Sequence, residues 1–250
     1  EGDVIRIPPY LNKEGPTKRV ISSKIQDKFK KRVIYEDLNY IVLNKPSGIA
    51  VHSGSGNNFG AIDVLRSFYD ESIDLCHRLD KETSGCLVFA KNKTALRFFN
   101  KNLALRDKDL KKTYIAILKG NFKKELFIDN NINTNKSSIN HKVNINNEEG
   151  KYASSLFRPI KKLNKSSLVE IDIFSGRTHQ IRVQAEALNH NVANDIKYGD
   201  PEFNSFINKS GIKAMALHAK LIEFTDEDNN LIRVEAPLED YFADLINHLN

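Results

Sequence analysis

The chain has 250 residues, 40% hydrophobic and 28% charged, enough to enclose a substantial core in one large domain or two small ones. Two cysteines exclude a disulfide framework, no apolar run approaches the length of a membrane span, and the N-terminus lacks the layout of a signal peptide. With 38 Lys and Arg against 32 Asp and Glu, the net charge of +6 leans toward a polyanionic partner, a modest lean because the same Lys-rich composition can follow from genome bias.

In chain order, Gly2-Asp3-Val4-Ile5-Arg6-Ile7-Pro8-Pro9 reads as a short strand stopped by two prolines, and Thr17 to Arg32 as a basic connector or an RNA-contacting arm. The chain opens Glu1-Gly2-Asp3 without Met, so it is expected to be part of something longer. Val33-Ile34-Tyr35 and Tyr40-Ile41-Val42-Leu43 flank a turn at Glu36–Asn39, a hairpin broken by Lys45-Pro46-Ser47-Gly48. A Gly-rich loop from Gly54 to Gly60 leads into an amphipathic helix around Ala61–Tyr69.

Cys86–Ala90 is strand-like, Lys93–Leu105 carries Leu96, Phe99 and Leu103 at helical spacing, and Thr113–Leu118 is a strand ending at Gly120. Residues 121–150 are polar and Asn-rich, and read as a peripheral excursion. Leu168–Phe174 reads as an edge strand with Val169, Ile171 and Ile173 on one face. Ser175-Gly176 then turns the chain into a helix from about Thr178 to Leu188, with Thr178 as its cap. Strands at Ala216–Phe224 and Leu231–Val234 and a helix from Leu238 to Leu249 finish the chain. Strands outnumber helices and hairpins recur, so an α+β domain built on a mainly antiparallel sheet is favoured.

Two segments carry candidate chemistry. Cys76-His77-Arg78-Leu79-Asp80-Lys81-Glu82-Thr83-Ser84-Gly85 sets one carboxylate, Asp80, between two fixed cations, a setting for a charged base or nucleophile. Its His-Arg-x-Asp order echoes the kinase catalytic loop, but the contiguous triplet, the metal-binding Asn and the Asp-Phe-Gly are missing. Ser175-Gly176-Arg177-Thr178-His179-Gln180-Ile181-Arg182 places two arginines around a helix start, an anion site or a surface salt-bridge cluster. Gly54-x-Gly56 lacks the Gly-Lys-Ser/Thr ending of a phosphate loop, and His179 and His190 are not at zinc-helix spacing, so no metal is expected. Tyr114, taken alone, is a strand aromatic.

Taken together, these segments resemble the RluA family of bacterial pseudouridine synthases that modify ribosomal RNA. The resemblance runs from Val33 onward through Tyr40–Gly48, His77–Gly85, Lys112-Thr113-Tyr114, Gly176–Arg182, Asp195–Asp200 and Leu217-His218-Ala219. The stretch Lys197–Asn204 is most similar to the large-subunit RluC branch, and the opening Gly2–Pro9 resembles the end of an S4-type RNA-binding domain. The resemblance implies a tail and linker over 1–32 and a catalytic domain over 33–250, in the pseudouridine synthase fold with a central active-site cleft. It implies isomerisation of specific uridines in 23S ribosomal RNA without a cofactor, by a cytoplasmic monomer.

Asp80 is then the catalytic carboxylate, open to attack at C1′, attack at C6 or removal of the C2′ proton. Arg182 orients it, Tyr114 is the base for the C5 proton or a stacking group, and Arg78 fills the space left by the flipped-out nucleotide. His77, Lys81, Arg177, His179 and Gln180 are the further RNA contacts implied. The rival reading is a catalytically silent RNA-binding or ribosome-assembly protein of the same fold.

Overall fold

In the computed structural model the described residues are 21–54, 59–105, 110–134, 143–145 and 150–250. The strand expected at Val4–Ile7 and most of the Gly-rich loop lie outside them. Helix α1 (Ser23–Lys30) precedes the hairpin β1 (Val33–Glu36) and β2 (Tyr40–Lys45). Next come α2 (Ala61–Arg66), β3 (Asp74–Leu75), β4 (Ser84–Ala90), α3 (Lys93–Leu105) and β5 (Lys111–Lys119). Strands β6 (Leu126–Thr134), β7 (Val143–Ile145), β8 (Lys151–Leu163) and β9 (Ser166–Ile173) follow. The remainder is α4 (Gln180–Ala187), α5 (Pro201–Asn208), β10 (Leu217–Thr225), β11 (Leu231–Glu235) and α6 (Asp240–Leu249). No helix among the described residues is long and apolar enough to cross a membrane.

The strands form one sheet in the order β1-β2-β4-β10-β5-β9-β8-β6-β7, with β3 beside β4 and β11 beside β10. The β4–β10 pairing is parallel and the other described pairings are antiparallel. Helices cover both faces, which explains the unbroken apolar runs of the central strands. In β2, Ile41 and Leu43 pack toward α2 and α4, while Tyr40 and Val42 pack with Phe99 of α3. In β5, Tyr114 and Ala116 join the first group, while Ile115 and Ile117 meet Phe203 of α5 and Phe242 of α6.

Three sequence expectations are corrected. The basic connector contains a helix, α1, because Phe29 on its inner face is buried against the core. The excursion at 121–150 contains β6 and β7, and β6 pairs with β8 along residues Leu126–Ile132, its polar side chains masking an ordinary ladder. Leu168–Phe174 is interior rather than edge, since β9 lies between β5 and β8.

Two devices hold the loop that carries Asp80. Gly85 opposes Ala219 across the β4–β10 pairing with φ of +105°, and a Cβ there would collide with the Ala219 carbonyl. Beneath the loop lies Lys45, fully buried, whose Nζ donates to the carbonyls of Pro46, Ile49 and Lys81 at 2.9, 2.9 and 3.0 Å. Burial brings its pKa down to about 7.

Gly85→Ala is expected to cost at least ~2 kcal/mol in urea unfolding, because backbone strain and overpacking add. Lys45 generates a pH signature. Between about pH 7 and the ordinary lysine range the unfolded chain keeps a proton that the folded chain has released, so stability rises with pH there. Urea midpoints measured from pH 6.5 to 9.5 are expected to climb in the wild type and to climb less in Lys45→Met.

Candidate active site

A cleft of about 1080 Å³ opens where the loop between β3 and β4, strand β5 and the β9–α4 junction converge. Asp80, Tyr114 and Arg182, which belong to three distant segments, all line it. Arg182 is 7% exposed, because α4 turns its inner face to the sheet through Ile181 and Ala185. Its guanidinium is shared between two carboxylates. Nη1 donates to Asp80 Oδ2 at 2.9 Å, while Nε and Nη2 donate to Asp195 Oδ2 and Oδ1 at 2.7 and 2.9 Å.

Asp195 is 1% exposed and also accepts from the backbone N–H of Lys197 and Tyr198 at 2.8 and 3.0 Å. Burial alone would raise its carboxyl. The Arg182 guanidinium and the two N–H groups outweigh that and hold it below the usual range. For Arg182 burial works against the charge, and Asp195 together with Asp80 more than restores it. The Tyr198 ring lies 5.1 Å from the Arg182 guanidinium carbon, a cation–π contact on a third side.

Tyr114 is 8% exposed, and burial followed by the Asp80 charge pushes its phenol well above the ordinary tyrosine range. It is therefore a neutral phenol at physiological pH. Lys112, on the same face of β5, is 7% exposed and its amine has no hydrogen-bond partner among the described residues. Burial brings its pKa down to about 8, which leaves it mostly charged at neutral pH beside the cleft.

The expected RNA contacts divide. Arg78 is exposed and lines the cleft, and Arg177 lines it with its Nε donating to the Tyr152 carbonyl at 3.0 Å. His179 also lines it, with Nε2 3.8 Å from Asp80 Oδ2 and Nδ1 2.9 Å from the Tyr198 hydroxyl. Lys81 is exposed but is not among the residues that line the cleft.

Two further residues line the cleft with side chains held by bonds within the protein. His77 accepts the Val88 N–H at 3.1 Å through Nε2 and stacks on Phe99, and burial brings its pKa down to about 3. It anchors the loop as a neutral ring. Gln180 is 3% exposed. Its Oε1 accepts from Ser175 Oγ and the Arg177 N–H, and its Nε2 donates to the Ser154 carbonyl and Ser155 Oγ. With both ends of its amide occupied, it shapes the turn at the wall of the cleft. The cap of α4 differs from expectation. His179, not Thr178, is the capping position, at φ 56°.

Asp195, Lys112 and Lys45 stood in the motif segments without assigned roles. For Asp195 the signal was an acid followed within three residues by Lys197 and Tyr198, a turn whose N–H groups close back on the carboxylate.

A family model described as RNA pseudouridylate synthase matches residues 39–187. The ribosomal large subunit pseudouridine synthase C of Vibrio vulnificus is 37% identical to this chain, over 99% of the chain and 79% of the relative. The protein of the same name from Buchnera aphidicola subsp. Baizongia pistaciae is also 37% identical, over 99% and 80%. Among solved structures, human RNA pseudouridylate synthase domain containing 4 aligns with a TM-score of 0.73 at 21% identity, over 90% of this chain and 95% of that one, a likeness of fold. A match across more than half of the sequence, with relatives this similar over nearly its whole length, makes the chain a member of the RNA pseudouridylate synthase family.

Proposed function

We propose that this protein isomerises uridines of 23S ribosomal RNA to pseudouridine, with Asp80 as the group that acts on the flipped-out nucleotide. The observation that carries the reading is the relay from Asp195 through Arg182 to Asp80, which aims one carboxylate into the cleft and fixes it there. The large-subunit RNA as substrate follows the names of the relatives from Vibrio vulnificus and Buchnera aphidicola.

The reaction breaks the N1–C1′ bond, forms a C5–C1′ bond, releases the C5 proton and returns a proton to N1. Atoms balance without an oxidant or a second substrate. A uridine in folded RNA must leave its stack to be reached, at a cost of a few kcal/mol. Arg78, exposed at the cleft, fills the vacated space and compensates part of that cost. Tyr114, neutral because of burial and the Asp80 charge, suits packing against the uracil as it turns better than service as a phenolate base. Lys112, Arg78 and Arg177 supply positive charge for the phosphates on either side. The same reading takes the enzyme to be a monomer at work in the cytoplasm, supported by the ribosomal substrate in the names of its relatives.

Asp80→Asn is expected to lower tritium release from 23S RNA labelled at uridine C5 by at least about 1000-fold, a barrier increase of ~4 kcal/mol, while RNA affinity stays within a few-fold of wild type. Tritium release at the wild-type rate would overturn the assignment of Asp80. Asp195→Asn leaves Arg182 with Asp80 as its one carboxylate partner. It is expected to lower kcat by about 100-fold, or ~2.7 kcal/mol, with a smaller change in KM, and to lower the melting temperature as well.

A further inference from the structure

Beyond the reacting groups, the cleft wall carries two phenylalanines that the hydrophobic core does not use. Phe127 of β6 and Phe174, just past β9, are 54% and 49% exposed, and both line the cleft that holds Asp80. The sheet brings them together. Phe127 pairs with Leu156 and Leu156 with Asp172, so Phe174, two residues beyond Asp172, shares the face of Phe127. Their ring centroids are 6.0 Å apart at 46°.

Single exposed aromatics are ordinary on protein surfaces, but a contacting pair set into the wall of a cleft with Arg177, Arg78 and Lys112 is a feature that needs an occupant. The uracil is claimed by Asp80 and Tyr114, whose burial places them deeper than the half-exposed pair. A flat apolar partner flanked by negative charge matches both the rings and the basic groups beside them. A nucleobase next to its phosphates has that chemistry.

We propose that Phe127 and Phe174 form a stacking platform for an unpaired base of the substrate RNA beside the flipped-out uridine. The inference rests on the RNA reading above and deepens it. It also gives β6, in the stretch of sequence that looked peripheral, a part in substrate selection: sites whose neighbouring nucleotide can unstack are favoured over sites held in a helix.

The test uses Phe127→Leu and Phe174→Leu, which keep apolar bulk and remove the ring, with Phe127→Tyr and Phe174→Tyr as variants that restore a stacking face. Turnover is followed on a 23S RNA transcript, and binding on a single-stranded RNA 12-mer containing 2-aminopurine. The Leu variants are expected to raise KM about tenfold with kcat within twofold, and to lose the 2-aminopurine quenching that the wild type and the Tyr variants show. The slope of log affinity against log salt is expected to stay at the wild-type value, because no phosphate contact is removed.

Wild-type KM and quenching in both Leu variants would overturn the platform and leave the pair as a surface for a protein partner. A changed salt slope, or equal losses in the Leu and Tyr variants, would also overturn it. Should the wild type release no tritium from 23S RNA, the substrate reading fails separately, and the quenching comparison still decides whether the rings stack on RNA.

Discussion

A guanidinium taken almost wholly out of water must be matched on every side, and Arg182 is matched by Asp195, Asp80 and the face of Tyr198. Desolvating such ions costs several kcal/mol each, so the arrangement persists only if geometry and hydrogen bonding are nearly complete. Asp195 meets that demand with two donors from Arg182 and two backbone N–H groups. An ammonium in place of the guanidinium could not fork to one carboxylate and reach another at the same time. The strong, inward pair thus sets the position of the weaker, outward contact. Asp80 inherits its orientation from a residue 102 positions away in sequence.

The sheet supplies what that pair cannot, a rigid frame around loops. The Asp80 loop is tied from below by Lys45, from behind by the His77 ring on Val88, and at its end by the tight approach of Gly85 to Ala219. The opposing wall is tied by Gln180, which knits the β9–α4 turn to β8. In the ties made by Lys45, His77 and Gln180 a polar side chain is taken from solvent and committed to a backbone group. This is how a cleft can stay open between segments that are themselves irregular.

Much of this was legible before any coordinates. The cations around Asp80 single it out, and the family resemblance adds Arg182 and Tyr114; the structure joins Asp80 to Arg182 and sets Tyr114 in the same cleft. The hairpin of β1 and β2 and the helix at Lys93–Leu105 followed from apolar periodicity. What stayed hidden depends on partners that local pattern does not reveal. Strand β6 runs into an Asn-rich stretch that hides it, and its ladder with β8 comes from backbone groups. The interior place of β9 depends on which strands lie beside it, and alternation along one strand cannot distinguish edge from centre. Gln180 and His77 look like surface polar residues until the groups that satisfy them are seen.

Strand β10 lies between β4 and β5, so the sheet joins its early half to its later half through a segment near the C-terminal end of the chain. Each half is built from neighbours in sequence and can form as it leaves the ribosome, where domains emerge at roughly 5–20 residues per second. The two cannot be sealed together until residues Leu217–Thr225 have been made. Asp80 is thus synthesised long before its loop can be clamped at Gly85 by Ala219. In an enzyme assembled in this order, the Asp80 loop gains its last clamp only when the final strand of the sheet's core path is inserted.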